Sequence, residues 1–284
     1  FSFNIFAQDL AWDRENSCPV GDMAFVEKVL SEMTVEEKVG QTIMADLDFI
    51  KPVDLRRYPI GGILNGGNTS PNGNQQASTD EWKSLAQDFY EESIKTGSNI
   101  PILWGTDAVH GHSNVLGATI FPHNIGLGAS ANEQLLEAIG AAVAEEVLAT
   151  GLYWTFAPTV TVPQDYRWGR TYEGYSESPE LVSKLGESFI YGLQGKGDEF
   201  LKSNKIIGTA KHFLGDGGTY LGVDQGDTKV DEKTLQDIHG TPYYSALDAC
   251  IQTVMASFNS WNGSKVHGNE YLLTEVLKLS LIHI

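Results

Sequence analysis

Hydrophobic positions along the chain alternate between two patterns. One has apolar residues three and four apart; the other is a short continuous apolar run bounded by Gly, Pro or Asn. Thr34-Val35-Glu36-Glu37 has the form of a capping box, with Thr34 as N-cap and Glu37 reaching back to it, ahead of the apolar Val39 and Ile43. Ile60–Leu64 reads as a buried strand, followed by a Gly/Asn-rich loop to Gly73. Thr79-Asp80 opens a helix over Glu81–Lys95, with Trp82, Leu85 and Phe89 at helical spacing.

The alternation continues downstream. Pro101–Gly105 predicts a strand, and a long loop leads to Asn132, the N-cap of a helix that runs to Thr150 and stops at Gly151. Leu152–Ala157 predicts the next strand. Ser178-Pro179 begins another helix, with Pro at the first helical position, where its missing N–H costs nothing. Ile206–Ala210 and Thr253–Ser257 read as strands, and Pro242–Cys250 and Asn269–Leu277 as helices. Strands spaced by a helix and two loops make βα units, hence a parallel sheet with helical cover. An open doubly wound sheet and a closed (β/α)8 barrel both fit. The first strand-to-helix loops carry no G-x-G-x-x-G and no P-loop, which weakens the nucleotide-binding versions.

Composition narrows the partners. The chain has 284 residues, 41% hydrophobic and 20% charged, an ordinary globular balance that can bury a sizeable core. Its formal net charge of −18 repels phosphate backbones, so nucleic acid is not an expected partner. No apolar run approaches the roughly 20 residues of a membrane span. Cys18 and Cys250 match no metal spacing and no disulfide framework, and read as two independent buried thiols. Residues 1–21 read as an N-terminal extension, in which Phe1–Gln8 has the character of a signal-peptide remnant, ahead of a domain spanning 22–284.

Candidate chemistry lies where polar residues follow the strands. Asp107 follows Ile102-Leu103-Trp104, Lys211 and His212 follow Ile206–Ala210, and Asn259 and Trp261 follow Val254-Met255-Ala256. Arg167 and Arg170 lie in the loop after Phe156-Ala157-Pro158. In a β/α barrel these strand ends converge. A carboxylate beside several cations supplies the acceptors and donors that sugar hydroxyls need. Trp104, Trp168 and Trp261 have faces suited to stacking on a pyranose ring, against the ordinary alternative of core packing. His110-Gly111-His112 with His123 matches no zinc motif, and Asp216, Asp224 and Asp227 do not fit an EF-hand, so no metal and no cofactor is expected. Asp216-Gly217-Gly218 reads instead as part of a flexible active-site loop. Asn68-Thr69-Ser70 and Asn262-Gly263-Ser264 are formal glycosylation sequons.

Longer motifs carry a family resemblance. Gly105-Thr106-Asp107-Ala108-Val109-His110-Gly111, Ala118 to Gly128, Phe156-Ala157-Pro158, Arg167 to Arg170 with Tyr172 to Tyr175, Lys211 to Gly217 and Val254 to Gly263 together resemble family 3 glycoside hydrolases. The match runs from about Val26 to Lys278 and is nearest the β-glucan exohydrolase and 1,4-β-glucosidase branch. The resemblance implies a TIM-like (β/α)8 barrel, here incomplete with its final strands missing, followed in the family by an α/β-sandwich. It implies retaining hydrolysis of terminal β-D-glucosyl residues from β-glucans or cello-oligosaccharides. An Asp nucleophile and a Glu acid/base about 5–5.5 Å apart perform that chemistry. By the same resemblance Asp107, Arg170, Lys211 and His212 hold the hydroxyls of the terminal glucose, and Phe258 is the fifth substrate-binding candidate, standing where some relatives carry Tyr and so lacking a hydroxyl contact.

After Thr274–Lys278 the family continues to a Ser-Asp-Trp whose Asp is the nucleophile, whereas this chain reads Leu279-Ser280-Leu281-Ile282-His283-Ile284. The expectation is that neither catalytic carboxylate lies within the chain, and that the fragment alone is inactive. Relatives that degrade glucans imply a periplasmic or secreted protein. Three alternatives stand beside this reading. The β-N-acetylhexosaminidase branch is disfavoured because the loop after Lys211-His212 lacks an Asp-Ser-His. The others are a Schiff-base lyase using Lys211 and a non-catalytic sugar-binding remnant.

Overall fold

The computed structural model describes residues 12–14, 18–19, 21–66 and 69–282. The reading of Phe1–Gln8, and Asn68 of the first sequon, lie outside the described residues. Four strands pair in chain order, all parallel: β1 (Met44–Asp46), β2 (Gly62–Asn65), β3 (Leu103–Thr106) and β4 (Trp154–Thr155). Next come β5 (Thr209–Phe213), β6 (Asp227–Thr228) and β7 (Thr253–Ala256). β5 pairs in parallel with β7, and parallel bridges Trp154–Ile207 and Thr159–Lys211 tie β4 to β5. Six parallel strands therefore follow one another in space as in sequence, an arc of β/α architecture. β6 belongs to a small separate sheet with β8 (Ser260–Trp261) and β9 (Ser264–Lys265).

Helices cover the arc. They are α1 (Met23–Glu32), α2 (Val35–Gly40), α3 (Thr79–Ser93), α4 (Asn124–Ser130), α5 (Glu133–Ala149), α6 (Pro179–Gln194), α7 (Glu232–Thr234) and α8 (Thr241–Asp248). Thr34 and Glu37 form the expected capping box on α2, and Ser78 with Glu81 forms another on α3. Asn132 caps α5 and Ser178 caps α6, with Pro179 at its first turn. α6 packs against both α5 and α8 and buries Val182, Leu185, Phe189, Ile190 and Leu193.

Several boundaries differ from the sequence reading. β5 sits three residues later than Ile206–Ala210, so Lys211 and His212 lie within the strand and not after it. Continued pairing with β7, including a register shift between Lys211 and Phe213, carries the strand through them. β4 keeps two residues of the six expected, because only Trp154 and Thr155 pair with β3. β1 is three residues long, too short to show a period in the sequence. α4 occupies part of the expected loop before Asn132, and the last helix is a π-helix over Tyr271–Ile282.

The cysteines require a correction. Cys18 and Cys250 are joined as a disulfide with Cα atoms 5.5 Å apart, not held as independent thiols. The pairing follows from how the N-terminal segment docks. Trp12 is buried against Gly240 and Tyr244, and its indole N–H donates to Glu232 Oε1 at 2.8 Å. Arg14 Nε donates to Asp248 Oδ1 at 2.8 Å, so this segment reaches α7 and α8 on its way to Cys250. A separation of 232 residues concealed this contact from sequence reasoning. No helix among the described residues is long and apolar enough to cross a membrane.

Candidate active site

A cavity of ≈ 530 Å³, in the range of small-ligand sites, opens where the strands end. Its lining includes Asp107, His110, His123, Arg170, Tyr172, Glu173, Lys211 and His212. Leu64, Phe156 and Met255 add apolar surface. The lining thus brings together four of the five sequence-predicted residues.

Each is fixed by its element. Asp107 follows β3, whose last residue Thr106 accepts at Oγ1 from Asn65 Nδ2 (2.9 Å) and Asn114 Nδ2 (3.1 Å). The next backbone N–H, on Ala108, donates to Thr155 Oγ1 at 3.2 Å, so Asp107 is pinned on both sides. Gly105 lets Phe156 approach, since a Cβ there would collide with the ring. Lys211, with only 6% of its side chain exposed, reaches across from β5 and donates Nζ to Asp107 Oδ1 at 2.9 Å. Asp107 is 38% exposed, so one face of this pair is open to a ligand.

The second pair is an extended chain. Arg170 donates through Nε and Nη2 to the two oxygens of Glu173, at 2.6 and 2.7 Å, a bidentate contact. Nη2 also lies 3.0 Å from His212 Nε2. Burial lowers the Arg170 pKa, but Glu173, Asp216 and Asp224 more than offset it and leave it raised, so the guanidinium stays charged. Asp224 is not a ligand cluster with Asp216 and Asp227. It accepts from Trp168 Nε1, Asp216 faces His212, and Asp227 accepts from Gly263 N–H.

Other expectations land elsewhere. Phe258 does not line the cavity; it is 62% exposed and packs edge-on against His267. Trp104 is buried, with its indole donating to Asn65 Oδ1 at 2.8 Å, and Trp168 is buried beside Asp224. Trp261 donates to Val230 O at 2.9 Å. None of the three lines the cavity, and the faces of Trp104 and Trp168 are packed inside the fold, so they do not form a sugar platform there. Arg167 is spent on Asp165.

Sequence reasoning missed two groups. His110 and His123 lie tilted against each other with ring centroids 4.0 Å apart, and Tyr172 meets His123 edge-on at 4.7 Å. Desolvation and the neighbouring His110 lower the His123 pKa, against a raising effect of Glu173. His112 points away into the core, where burial pushes it down to about 4. The three histidines therefore do not converge; their sequence proximity signalled a wall, not a ligand set. The other missed residue is Asp216, buried four positions after His212 and bonded to it.

Comparison with known proteins decides the family. Residues 34–281 match the model of the glycosyl hydrolase family 3 N-terminal domain. The chain belongs to glycosyl hydrolase family 3. It superposes on an exo-1,3/1,4-β-glucanase from a Pseudoalteromonas species with a TM-score of 0.92 at 50% identity, covering 96% of this chain and 35% of that one. It is 31% identical over 260 residues to a periplasmic β-glucosidase of Salmonella typhimurium, covering 90% of this chain and 31% of the relative. A lysosomal β-glucosidase of Dictyostelium discoideum is 28% identical over 275 residues, covering 89% and 33%. The family 3 chain thus spans about a third of the length of these curated relatives. The parallel arc is part of the TIM-like α/β fold of this family domain.

Proposed function

We propose that this family 3 domain binds the terminal β-D-glucosyl residue of β-glucans or cello-oligosaccharides for retaining hydrolysis by the full-length protein. The observation that carries the reading is the convergence of Asp107, Lys211, Arg170 and His212 on one half-open cavity. Together they offer fixed donors and an acceptor around a space sized for a sugar ring. The 50% identity to an exo-1,3/1,4-β-glucanase supports glucose, with xylose the competing sugar because β-xylosidases stand among the relatives at 32–33% identity.

The groups on this cavity are orienting groups. Asp107 is paired with Lys211, and Glu173 is held by both of its oxygens on Arg170. Such carboxylates suit holding hydroxyls better than attacking an anomeric carbon. In the proposed mechanism the nucleophile and the acid/base carboxylate come from other sequence, and these residues fix the ring for in-line attack. Hydrogen bonds that tighten as the ring flattens then contribute to transition-state binding. Lys211 Nζ is likewise bonded as a donor, which disfavours its use as a Schiff-base nucleophile. Phe258 is proposed to make no direct contact with the bound sugar. The Cys18–Cys250 disulfide supports a periplasmic or secreted location, because such bonds persist in oxidising compartments.

The test is hydrolysis by the full-length protein of matched 4-nitrophenyl β-D-glucoside, β-D-xyloside and N-acetyl-β-D-glucosaminide, with the anomer of the first product read by NMR. The expected result is preference for the glucoside with retention. Asp107→Asn should lower kcat/KM by roughly tenfold to a hundredfold, the scale of one hydrogen bond to a charged group. Preference for another glycoside, or an inverted product, would overturn the proposal.

A further inference from the structure

Behind His212 lies a carboxylate that the functional reading does not use. Asp216 is buried at 6% exposure, in a turn whose glycines let it approach. A Cβ on Gly217 would lie 2.6 Å from Val162 O and 2.8 Å from Thr161 Oγ1, so only glycine lets this loop press onto the chain after β4. Thr161 Oγ1 donates to Asp216 Oδ1 at 2.5 Å, and Gly217 N–H donates to the same oxygen at 3.0 Å. Asp216 Oδ2 lies 2.8 Å from His212 Nδ1. Burial would raise the Asp216 pKa, but His212, Thr161 and Arg170 together lower it, so the group is a carboxylate and can only accept.

The other ring nitrogen of His212 faces Arg170 Nη2 at 3.0 Å, and a guanidinium can only donate. An acceptor on one side and a donor on the other leave one arrangement of the ring in which both contacts are hydrogen bonds. Nδ1 carries the proton and Nε2 carries the lone pair.

We propose that Asp216 is a positioning residue that fixes His212 as the Nδ1–H tautomer, so that the single Nε2 lone pair accepts from Arg170 and is exchanged to a sugar hydroxyl when the cavity is filled. The consequence for sugar binding rests on the functional reading above; the tautomer itself does not. Asp216→Asn exposes the mechanism because the amide is isosteric but cannot satisfy all three donors. If its NH2 faces the imidazole, Nδ1 must accept, and Nε2–H is driven against the Arg170 N–H. If its oxygen faces the imidazole, the NH2 opposes Gly217 N–H.

The experiment has two arms. In the first, the chain is labelled with 15N in its histidine rings, and the His212 signals are assigned by their loss in His212→Asn. The wild type should show Nδ1 protonated and Nε2 bare, and Asp216→Asn should move protonation toward Nε2. A wild-type ring protonated at Nε2, whether alone or together with Nδ1, or an unchanged tautomer in a folded Asp216→Asn protein, would overturn the proposal. In the second arm, calorimetry with glucose on the full-length protein compares Asp216→Asn, His212→Ala and the double variant. Asp216→Asn should weaken binding roughly tenfold, about 1.4 kcal/mol. The double variant should bind no more weakly than His212→Ala, since Asp216 acts through that ring. An equal loss in the His212→Ala background would show a general structural role and defeat the proposal. If the wild type binds no glucose, the functional reading falls, and the ring-nitrogen spectrum alone decides the role of Asp216.

Discussion

The half of the molecule built on β3 to β7 and the N-terminal edge of α1, α2 and β1 share the same local signals but end in opposite states. α6 opens with Ser178-Pro179 and α2 with a complete capping box. α6 then buries ten of its residues, whereas α1 buries none. Met23, Phe25, Val26 and Leu30 on α1, Val35 and Val39 on α2, and Met44 on β1 all remain exposed among the described residues. Phe49, just beyond β1, is 89% exposed. Capping starts a helix in either place, but burial needs an opposing surface, and α6 has α5 and α8 as neighbours. The candidate site draws its charged groups from the packed half. That placement is physically sensible, because side chains held to a fraction of an ångström need rigid supports.

The contrast can be broken by mutation. Phe189 is fully buried on α6, and Phe189→Ala should cost about 3–5 kcal/mol in urea unfolding. A loss under about 1 kcal/mol would mean that this half is not the stable one. Acid should also act on the packed half. Burial pushes His112 and His239 down to about 4, from an ordinary 6.5, with Asp216 partly opposing the shift at His239. The folded state therefore holds them neutral while the unfolded chain takes up protons below about pH 6.5. Their contribution is complete above that value and is lost as pH falls toward 4, about 3 kcal/mol for each. Denaturation midpoints should fall accordingly as pH is lowered from neutral, and His112→Gln should reduce the slope. The smallest effect belongs to the edge. Leu30→Ala should change stability by less than about 0.5 kcal/mol, as for an exposed site with similar helix propensity.

What the sequence showed depended on the range of the interaction. Caps at Thr34, Asn132 and Ser178 are signals within four residues, and they stand where expected. The parallel order of strands was also legible, because it follows from alternation. β5 was misplaced because pairing with β7, not local apolarity, carries the strand through Lys211 and His212. The partnership of Cys18 with Cys250 depends on Trp12 docking at Glu232, a contact across 220 residues. At the site, Asp107, Arg170, Lys211 and His212 were found through strand ends and motif resemblance. Phe258 came from the same motif but faces His267, away from the cavity lining. Asp216 was legible as part of a flexible active-site loop and of the Lys211 to Gly217 motif, whereas it is buried and bonded on both oxygens. Its role emerges from the turn that folds it under His212.

The most direct test of the central claim is a crystal structure of the full-length protein with glucose bound. The account predicts a pyranose ring in the ≈ 530 Å³ cavity, with its hydroxyl oxygens within hydrogen-bonding distance of Asp107, Lys211, Arg170 and His212. Glucose bound elsewhere, with this cavity occupied by water alone, would contradict it.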